Sequence, residues 1–155
     1  PAALFDGART ERPTPVAPHR PAERNEQLLS WADHVRGCIS AVSEQYVANY
    51  RRAIDDGTSV ELVFPTAVFE RLVREYALAD DPVLEAEGVA VRQTDESLPC
   101  SVKLHTRDDE AVASLTVYGP DGLRGLVTND SPEAVAWVRS YLEERWAAAD
   151  PLPSR

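Results

Sequence analysis

The chain has 155 residues, 43% of them hydrophobic and 27% charged, which is the size and composition of one globular domain. Its 26 acidic residues outnumber its 16 basic residues, so the formal net charge is −10. This balance disfavours a general nucleic-acid-binding surface, because neutralising phosphates requires clustered lysines and arginines. No apolar run is long enough to span a membrane and no signal peptide opens the chain, so we expect a cytoplasmic protein without membrane contacts.

The basic residues are almost all arginines, since only one of them, Lys103, is a lysine. Scattered acids with few lysines suit a protein that stays hydrated in concentrated salt, and they also suit a GC-rich genome. We favour a halophilic origin. The chain contains no Met and begins at Pro1, so we expect it to be part of a longer protein.

The first 21 residues are rich in proline, which disfavours helix and predicts an extended lead-in. An edge strand is expected near residues 8–14. Pro21 suits the first turn of a helix over residues 22–35, and Gly37 would end that helix.

A strand–helix pattern follows. Strands are predicted at residues 38–42, 59–64 and 89–93, and Ser43 and Thr66 are the expected N-caps of the two intervening helices. Strands that alternate with helices in this way predict right-handed crossovers and a parallel sheet.

The second half changes character. Residues 101–105 and 111–118 alternate between apolar and polar, a turn is expected over residues 119–122, and residues 123–128 return as a strand. Ser131 is the expected N-cap of a final helix that runs to residue 148, before a tail of residues 149–155. The predicted fold is therefore α/β, a mixed sheet with a parallel βαβαβ first half, an antiparallel meander second half and a C-terminal helix. Residues 22–148 would form a single domain.

Motifs for catalysis, cofactors or metals are absent from the sequence. No nucleophile elbow, dinucleotide-binding fingerprint or phosphate-binding loop occurs, so we expect no catalytic residue and no cofactor. The histidines, His19, His34 and His105, stand at no spacing that would gather three or four zinc ligands, so no metal site is expected.

One constellation resembles a catalytic motif. Phospholipase-D-type enzymes carry a His-x-Lys sequence, then four residues, then Asp, with the histidine as the nucleophile. Lys103 and Asp108 keep this spacing, but Ser101 stands in the place of the histidine, and a serine without an adjacent base is a poor nucleophile. Lys103 would then be either an anion contact in a pocket or an exposed strand residue. A weak phosphodiesterase is a third functional hypothesis.

The two cysteines, Cys38 and Cys100, are too few for a disulfide framework. Each lies in an apolar stretch, where a free thiol behaves as a small hydrophobic group. Inert core thiols are the favoured interpretation, and a redox pair that links two strands is the alternative.

Ligands of doubly wound sheets bind beyond the carboxyl ends of the parallel strands. The predicted ligand-binding residues are therefore polar residues at those ends, with two from the following strand: Ser40, Ser43, Thr66, Thr94, Lys103 and His105. For Ser43 and Thr66, a role as helix caps alone is the favoured interpretation.

Several stretches together suggest a family. They are residues 17–21, residues 36–43, residues 53–63, residues 122–130 and the Ala136-Trp137 pair of the last helix. The segment from Pro18 to Trp146 resembles the effector domain of archaeal, especially haloarchaeal, winged-helix transcriptional regulators named after the methanogenesis regulatory protein. It is also similar to the phospholipase-D-like effector domains of archaeal sugar-responsive regulators.

The resemblance implies a non-catalytic, signal-sensing domain that forms a homodimer and responds to a small-molecule effector. It also implies that DNA is bound only through an N-terminal winged helix that is absent from this chain. The alternative is a pure protein–protein interaction module without a ligand, acting through Trp137 and Tyr141. These two aromatic residues form a stripe that suits either the core or a partner.

The charge excess leads to a prediction about salt. At about 0.01 M salt the Debye length is about 30 Å, so the acidic residues repel one another across the domain. We expect the melting temperature to rise as the salt concentration increases to about 1 M. A melting temperature that stays flat over this range would contradict the halophilic interpretation.

Overall fold

A single mixed sheet forms the centre of the molecule. The computed structural model describes residues 2–78, 80–120 and 122–152, and within them the sheet has eight strands in the spatial order β1-β7-β6-β5-β2-β3-β4-β8. The strands are β1 (Arg9–Glu11), β2 (His34–Cys38), β3 (Ser59–Pro65), β4 (Val89–Thr94), β5 (Ser101–Arg107), β6 (Glu110–Gly119), β7 (Gly122–Asn129) and β8 (Asp150–Pro151).

The two halves of the sheet have different pairing. Strands β2, β3 and β4 pair in parallel, whereas β5, β6 and β7 form an antiparallel meander that joins the parallel half through the β2–β5 pair. The predicted fold class is confirmed.

Helices cover both faces of the sheet. They are α1 (Ala2–Phe5), α2 (Arg20–Trp31), α3 (Glu44–Asp55), α4 (Thr66–Tyr76) and α5 (Pro132–Ala148), with a short 3₁₀ helix at Pro82–Glu85. One core cluster joins α2, α3 and α4 to the sheet, and a second joins α1 and α5 to the opposite face. Because side chains alternate along a strand, Leu62 packs in the first cluster and Val63 in the second.

Two of the three predicted helix caps are confirmed. The hydroxyl groups of Ser43 and Ser131 accept hydrogen bonds from the backbone N–H groups of Tyr46 and Ala134. The prediction for Thr66 is wrong, since α4 begins at this residue and its hydroxyl donates to the carbonyl oxygen of Thr94 at 3.2 Å.

The first predicted strand is shifted along the sequence. The strand was expected at residues 38–42 but occupies His34–Cys38, because α2 ends at Trp31 and the following residue, Ala32, is already extended. Gly37 therefore lies inside β2 instead of ending a helix. It faces Lys103 of β5 in the strand register.

Both ends of the chain contribute more structure than expected. The prediction of an extended lead-in is wrong for α1, whose Leu4 is fully buried and whose backbone is held by the side-chain amide of Asn129. Strand β1 pairs with β7 and lies at the predicted edge position, while β8 adds two residues of the expected tail to the other edge. Asp121 of the turn, together with Pro1 and residues 153–155, lies outside the described residues.

Gly37 is placed where a side chain would collide with its neighbours. A Cβ atom added there would lie 2.8 Å from Cγ of Lys103 and 3.4 Å from the carbonyl oxygen of Val102. We therefore expect Gly37→Ala to lower the free energy of unfolding by about 1–3 kcal/mol, through overpacking. Chemical denaturation would measure this loss.

Gly125→Ala is the matched control, since Gly125 also lies in a strand but its added Cβ would approach only the carbonyl oxygen of Glu11, at 3.7 Å. Equal losses in the two variants would show that close packing against Lys103 is not the reason for the glycine in β2.

Candidate functional site

Strands β5, β6 and β7 direct polar side chains towards the face that α2 covers. Lys103 stands opposite Ser114 in the strand register, and Ser101 stands opposite Thr116. Each member of this buried polar patch is at most 4% exposed; the members are Ser101, Lys103, His105, Ser114, Thr116 and Thr128. Burying a polar side chain costs free energy unless the side chain is hydrogen-bonded. The cluster therefore identifies this part of the sheet as a candidate functional site.

A pocket of about 400 Å³ lies at one end of the patch. It is bounded by α2, by α3 with the loop before it, and by the tip of the β6–β7 hairpin. Ala22 and Asn25 line it from α2, Tyr46 from α3 and Tyr118 from the hairpin, while Lys103 forms part of its inner wall. The pocket therefore connects solvent to the one lysine of the chain.

Within the described part of the chain, the partner of the Lys103 ammonium group is an amide. Its Nζ donates a hydrogen bond to Oδ1 of Asn25 at 2.5 Å, and no carboxylate of the described residues lies within ion-pair distance. Glu26, beside Asn25, instead pairs with Arg52 at 3.3 Å. Burial lowers the pKa of Lys103 to about 7, so charged and neutral forms coexist at neutral pH.

Three tyrosines lie close together at the pocket. The rings of Tyr46 and Tyr50 stack with their centroids 4.5 Å apart, and burial raises the pKa of both. Burial also raises the pKa of Tyr118, and the neighbouring hydroxyl groups of Thr116 and Ser101 partly offset that rise. All three phenols consequently stay protonated at neutral pH and can donate hydrogen bonds.

His105 lies two residues beyond Lys103 on the same strand face and is fully buried. Burial, followed by the charge of Lys103, lowers the pKa of His105 to about 3. Its imidazole ring is therefore neutral across the physiological range.

The three residues of the phospholipase-D-like spacing do not come together in the structure. The hydroxyl of Ser101 accepts a hydrogen bond from the backbone N–H of Ser40 at 2.9 Å and lies 3.2 Å from the Ser40 hydroxyl. Asp108 is exposed in the turn after β5 and has a φ of +51°, whereas Lys103 is buried within the strand. The geometry thus leaves Ser101 beside another serine and separates Asp108 from the pocket.

The predicted ligand residues occupy three different places. Ser43 and Lys103 line the pocket, and Ser40, which bonds to Ser101, precedes the lining residue Ala41. Thr66 and Thr94 bond to each other beyond β3 and β4, outside the pocket lining, and His105 lies deeper in the polar patch. In this structure the four residues from the carboxyl ends of the parallel strands do not converge on one site.

Sequence reasoning missed most of the other pocket residues. Asn25 belongs to the polar side of α2, and nothing in its neighbourhood distinguishes it from a solvent-facing residue. Tyr46 and Tyr50 fit the apolar stripe of α3 and indeed contact the first core cluster as well. The signal that could have revealed the site is the alternation of Ser101, Lys103 and His105, three polar side chains on one face of a central strand.

At the described residues, two classes of site are not found. No group of three or more His, Cys, Asp or Glu side chains could hold a metal ion there. None of the helices in that part of the chain is both long and apolar enough to cross a bilayer.

Cys38 and Cys100 are free thiols, and burial raises the pKa of both, that of Cys38 to about 12.

Solved structures with the same fold cover nearly all of this chain. NucT from Helicobacter pylori is 11% identical with a TM-score of 0.71, over 94% of this chain and 98% of its own. Nuc from Salmonella typhimurium, a phospholipase D family member, is 14% identical with a TM-score of 0.69, over 95% and 99%. TrmBL2, an archaeal chromatin protein with a novel mode of DNA binding, is 12% identical with a TM-score of 0.67.

These matches show the fold alone, because all the identities are low. The match with the chromatin protein covers 94% of this chain but only 54% of that protein, so this chain spans about half of its length. No curated protein sequence matches this chain. The chain therefore has the same fold as a phospholipase D family member.

The family model for the middle domain of the methanogenesis regulatory protein FilR1 matches residues 18–148. The chain belongs to this family, and it is a regulatory middle domain of a transcriptional-regulator family. The resemblance inferred from the sequence is confirmed.

The lowered pKa of Lys103 makes stability depend on pH. An unfolded lysine titrates at its model value of 10.5, so between about pH 7 and 10.5 the unfolded state binds more protons than the folded state. Stability should therefore rise with pH in this range. Relative to Lys103→Met, we expect the native chain to gain about 2 kcal/mol between about pH 6.5 and 8.5.

Denaturant unfolding of both proteins at each pH measures this gain. Taking the difference removes the effects of Cys38 and the tyrosines, which both proteins share. Parallel stability curves for the two proteins would show that Lys103 is not desolvated in the folded state.

Proposed function

We propose that this chain is a non-catalytic, ligand-sensing and dimerising effector domain of a transcriptional regulator. DNA would be bound by a winged helix outside this chain, and the domain would work in the cytoplasm. The observation that carries the proposal is the pocket of about 400 Å³ that ends on Lys103, a buried amine with no acidic partner among the described residues. A pocket of this size is typical of sites for small molecules.

The arrangement of the pocket walls suggests how binding could be transmitted. Asn25 of α2, Lys103 of β5 and the hairpin tip at Tyr118 belong to separate elements that meet at this pocket. A ligand that contacts all three would favour one arrangement of α2 on the sheet over another. A shift of α2 would move the N-terminal segment before it, and with it a preceding DNA-binding domain. In a dimer, this would change the distance between the two DNA-binding domains and so their match to DNA half-sites.

The local chemistry supports a role without catalysis. Among the described residues, no base is hydrogen-bonded to Ser101: its hydroxyl is engaged with Ser40, and Lys103 bonds to Asn25. An activated nucleophile needs an adjacent base or a lowered pKa. We therefore favour binding over phosphodiester hydrolysis.

A pure interaction module acting through α5 has less support. The rings of Trp137 and Tyr141 stack 5.5 Å apart, but both are only partly exposed and pack against the second core cluster. Packing within the domain accounts for this pair, and its use in a dimer stays a prediction.

The pocket can be tested by blocking it. Ala22 is exposed on α2 and lines the pocket, so Ala22→Trp should fill the entrance with little cost to the fold. In a screen of metabolites, we expect at least one compound to raise the melting temperature of the native chain and to leave this variant unchanged.

Ala48→Trp is the matched control, because Ala48 is an exposed helical alanine outside the pocket lining. This variant should respond to the ligand as the native chain does. If no metabolite stabilises the native chain, or if Ala22→Trp responds equally, the sensing role at this pocket is refuted.

A further inference from the structure

Among the described residues of the pocket interior, one positive group has no ion-pair partner. Arg71 also lines the pocket, but its guanidinium bonds to Glu75 at 3.0 Å and is about half exposed. Glu26 at the rim is engaged with Arg52. Lys103 alone combines a cationic head group, nearly complete burial and the absence of an ion-pair partner among the described residues.

The surroundings of Lys103 offer hydrogen-bond donors rather than negative charges. The ammonium group has three N–H donors, of which Asn25 accepts one. Ser114, directly opposite Lys103 on β6, has a buried hydroxyl with no hydrogen-bond partner among the described residues. Tyr118 also lines this pocket, and its phenol is hydrogen-bonded to the hydroxyl groups of Thr116 and Ser101. A buried cation among donors with spare capacity is complementary to an oxyanion.

We propose that the ligand of this pocket is a small hydroxylated molecule with one carboxylate or phosphate group, and that this group binds to the ammonium of Lys103. This inference rests on the proposed sensing function and names the chemical class of its ligand. Other polar groups of the pocket walls, such as Tyr118 and Asn25, would bind the hydroxyl groups of the ligand.

Size and charge restrict the candidates further. A volume of about 400 Å³ suits a single metabolite and excludes a nucleic-acid strand from the interior. The chain has a net charge of −10, so an anion reaches Lys103 only against a general repulsion. Selectivity for an anion must therefore come from contacts inside the pocket.

Binding of an anion should be coupled to protonation of Lys103. Other titratable groups surround this amine on several elements. They are His105 on β5, Arg24 and Glu26 on α2, Tyr46 and Tyr50 on α3, Arg71 on α4 and Tyr118 on β6. Near neutral pH His105 is neutral and the tyrosines stay protonated, because burial lowers the pKa of His105 and raises the pKa of the tyrosines, so Lys103 is the group that changes state. An adjacent oxyanion favours its charged form.

The single lysine gives a direct readout. Protein labelled with ¹³C only at lysine shows one Cε resonance, and its pH titration reports the ionisation of Lys103 alone. The probes are inorganic phosphate, glycerol 3-phosphate, glycerate and, as the neutral control, glycerol. We expect the midpoint to lie at about 7 without an anion and to move upward with at least one anion, but not with glycerol.

Calorimetry at several pH values gives an independent measure. We expect the affinity for the responding anion to fall by up to tenfold for each pH unit above about 7. Lys103→Met should weaken that affinity by about tenfold or more and remove its pH dependence. Ala48→Trp should keep both properties of the native chain.

Each outcome separates the inference from the proposed function. A response to phosphates alone or to glycerate alone supports the inference and identifies the charged group. A different result would be that a neutral metabolite stabilises the native chain but not Ala22→Trp, while no anion moves the Lys103 resonance. This result overturns the inference that the ligand is an anion and keeps the sensing role. If no compound binds at the pocket, both are overturned.

Discussion

The burial of one amine within the antiparallel half of the sheet is the constraint around which this domain is arranged. A fall in pKa from 10.5 to about 7 means that holding Lys103 in its charged form costs about 5 kcal/mol at neutral pH. This is comparable with the total stability of many small domains. Gly37 leaves space for the lysine stem, and Oδ1 of Asn25 accepts a hydrogen bond from the ammonium group. An apolar residue would remove the cost, so we interpret the lysine as a functional element.

The fold itself has been used for several kinds of activity. Proteins with the same fold include a phospholipase D family member and an archaeal chromatin protein, each at less than 15% identity to this chain. A shared fold does not determine a shared function, which depends on the groups present at the site. Here Ser101 is held by Ser40 and Asp108 is in an exposed turn, while the lysine between them in the sequence remains at a pocket. We therefore propose that the site recognises a ligand and does not convert it chemically.

Much of the fold could be predicted because its signals are local. Alternation of side chains identified the meander, and the caps at Ser43 and Ser131 marked two helix starts. The shifted first strand shows the limit of this reasoning. Gly37 was interpreted as a helix end, whereas its role depends on a contact with Lys103, far away in the sequence. The short helix at residues 2–5 was missed for a similar reason, because it is stabilised by the distant side chain of Asn129.

The site was only partly predictable. Lys103 could be selected because it is the one lysine and because of its spacing to Asp108, but its burial depends on α2 packing over the strand. Asn25 and Tyr118 join it through tertiary contacts that no sequence spacing encodes. Thr66 and Thr94 were selected from a general rule for parallel sheets, but they bond to each other at a different place.

The central claim is that the pocket at Lys103 receives a small molecule. Its most direct test is mass spectrometry of the metabolites that are released when rapidly purified protein is denatured. We expect an equimolar compound from the native chain and none from Ala22→Trp, whereas identical metabolite profiles from the two proteins would contradict the account.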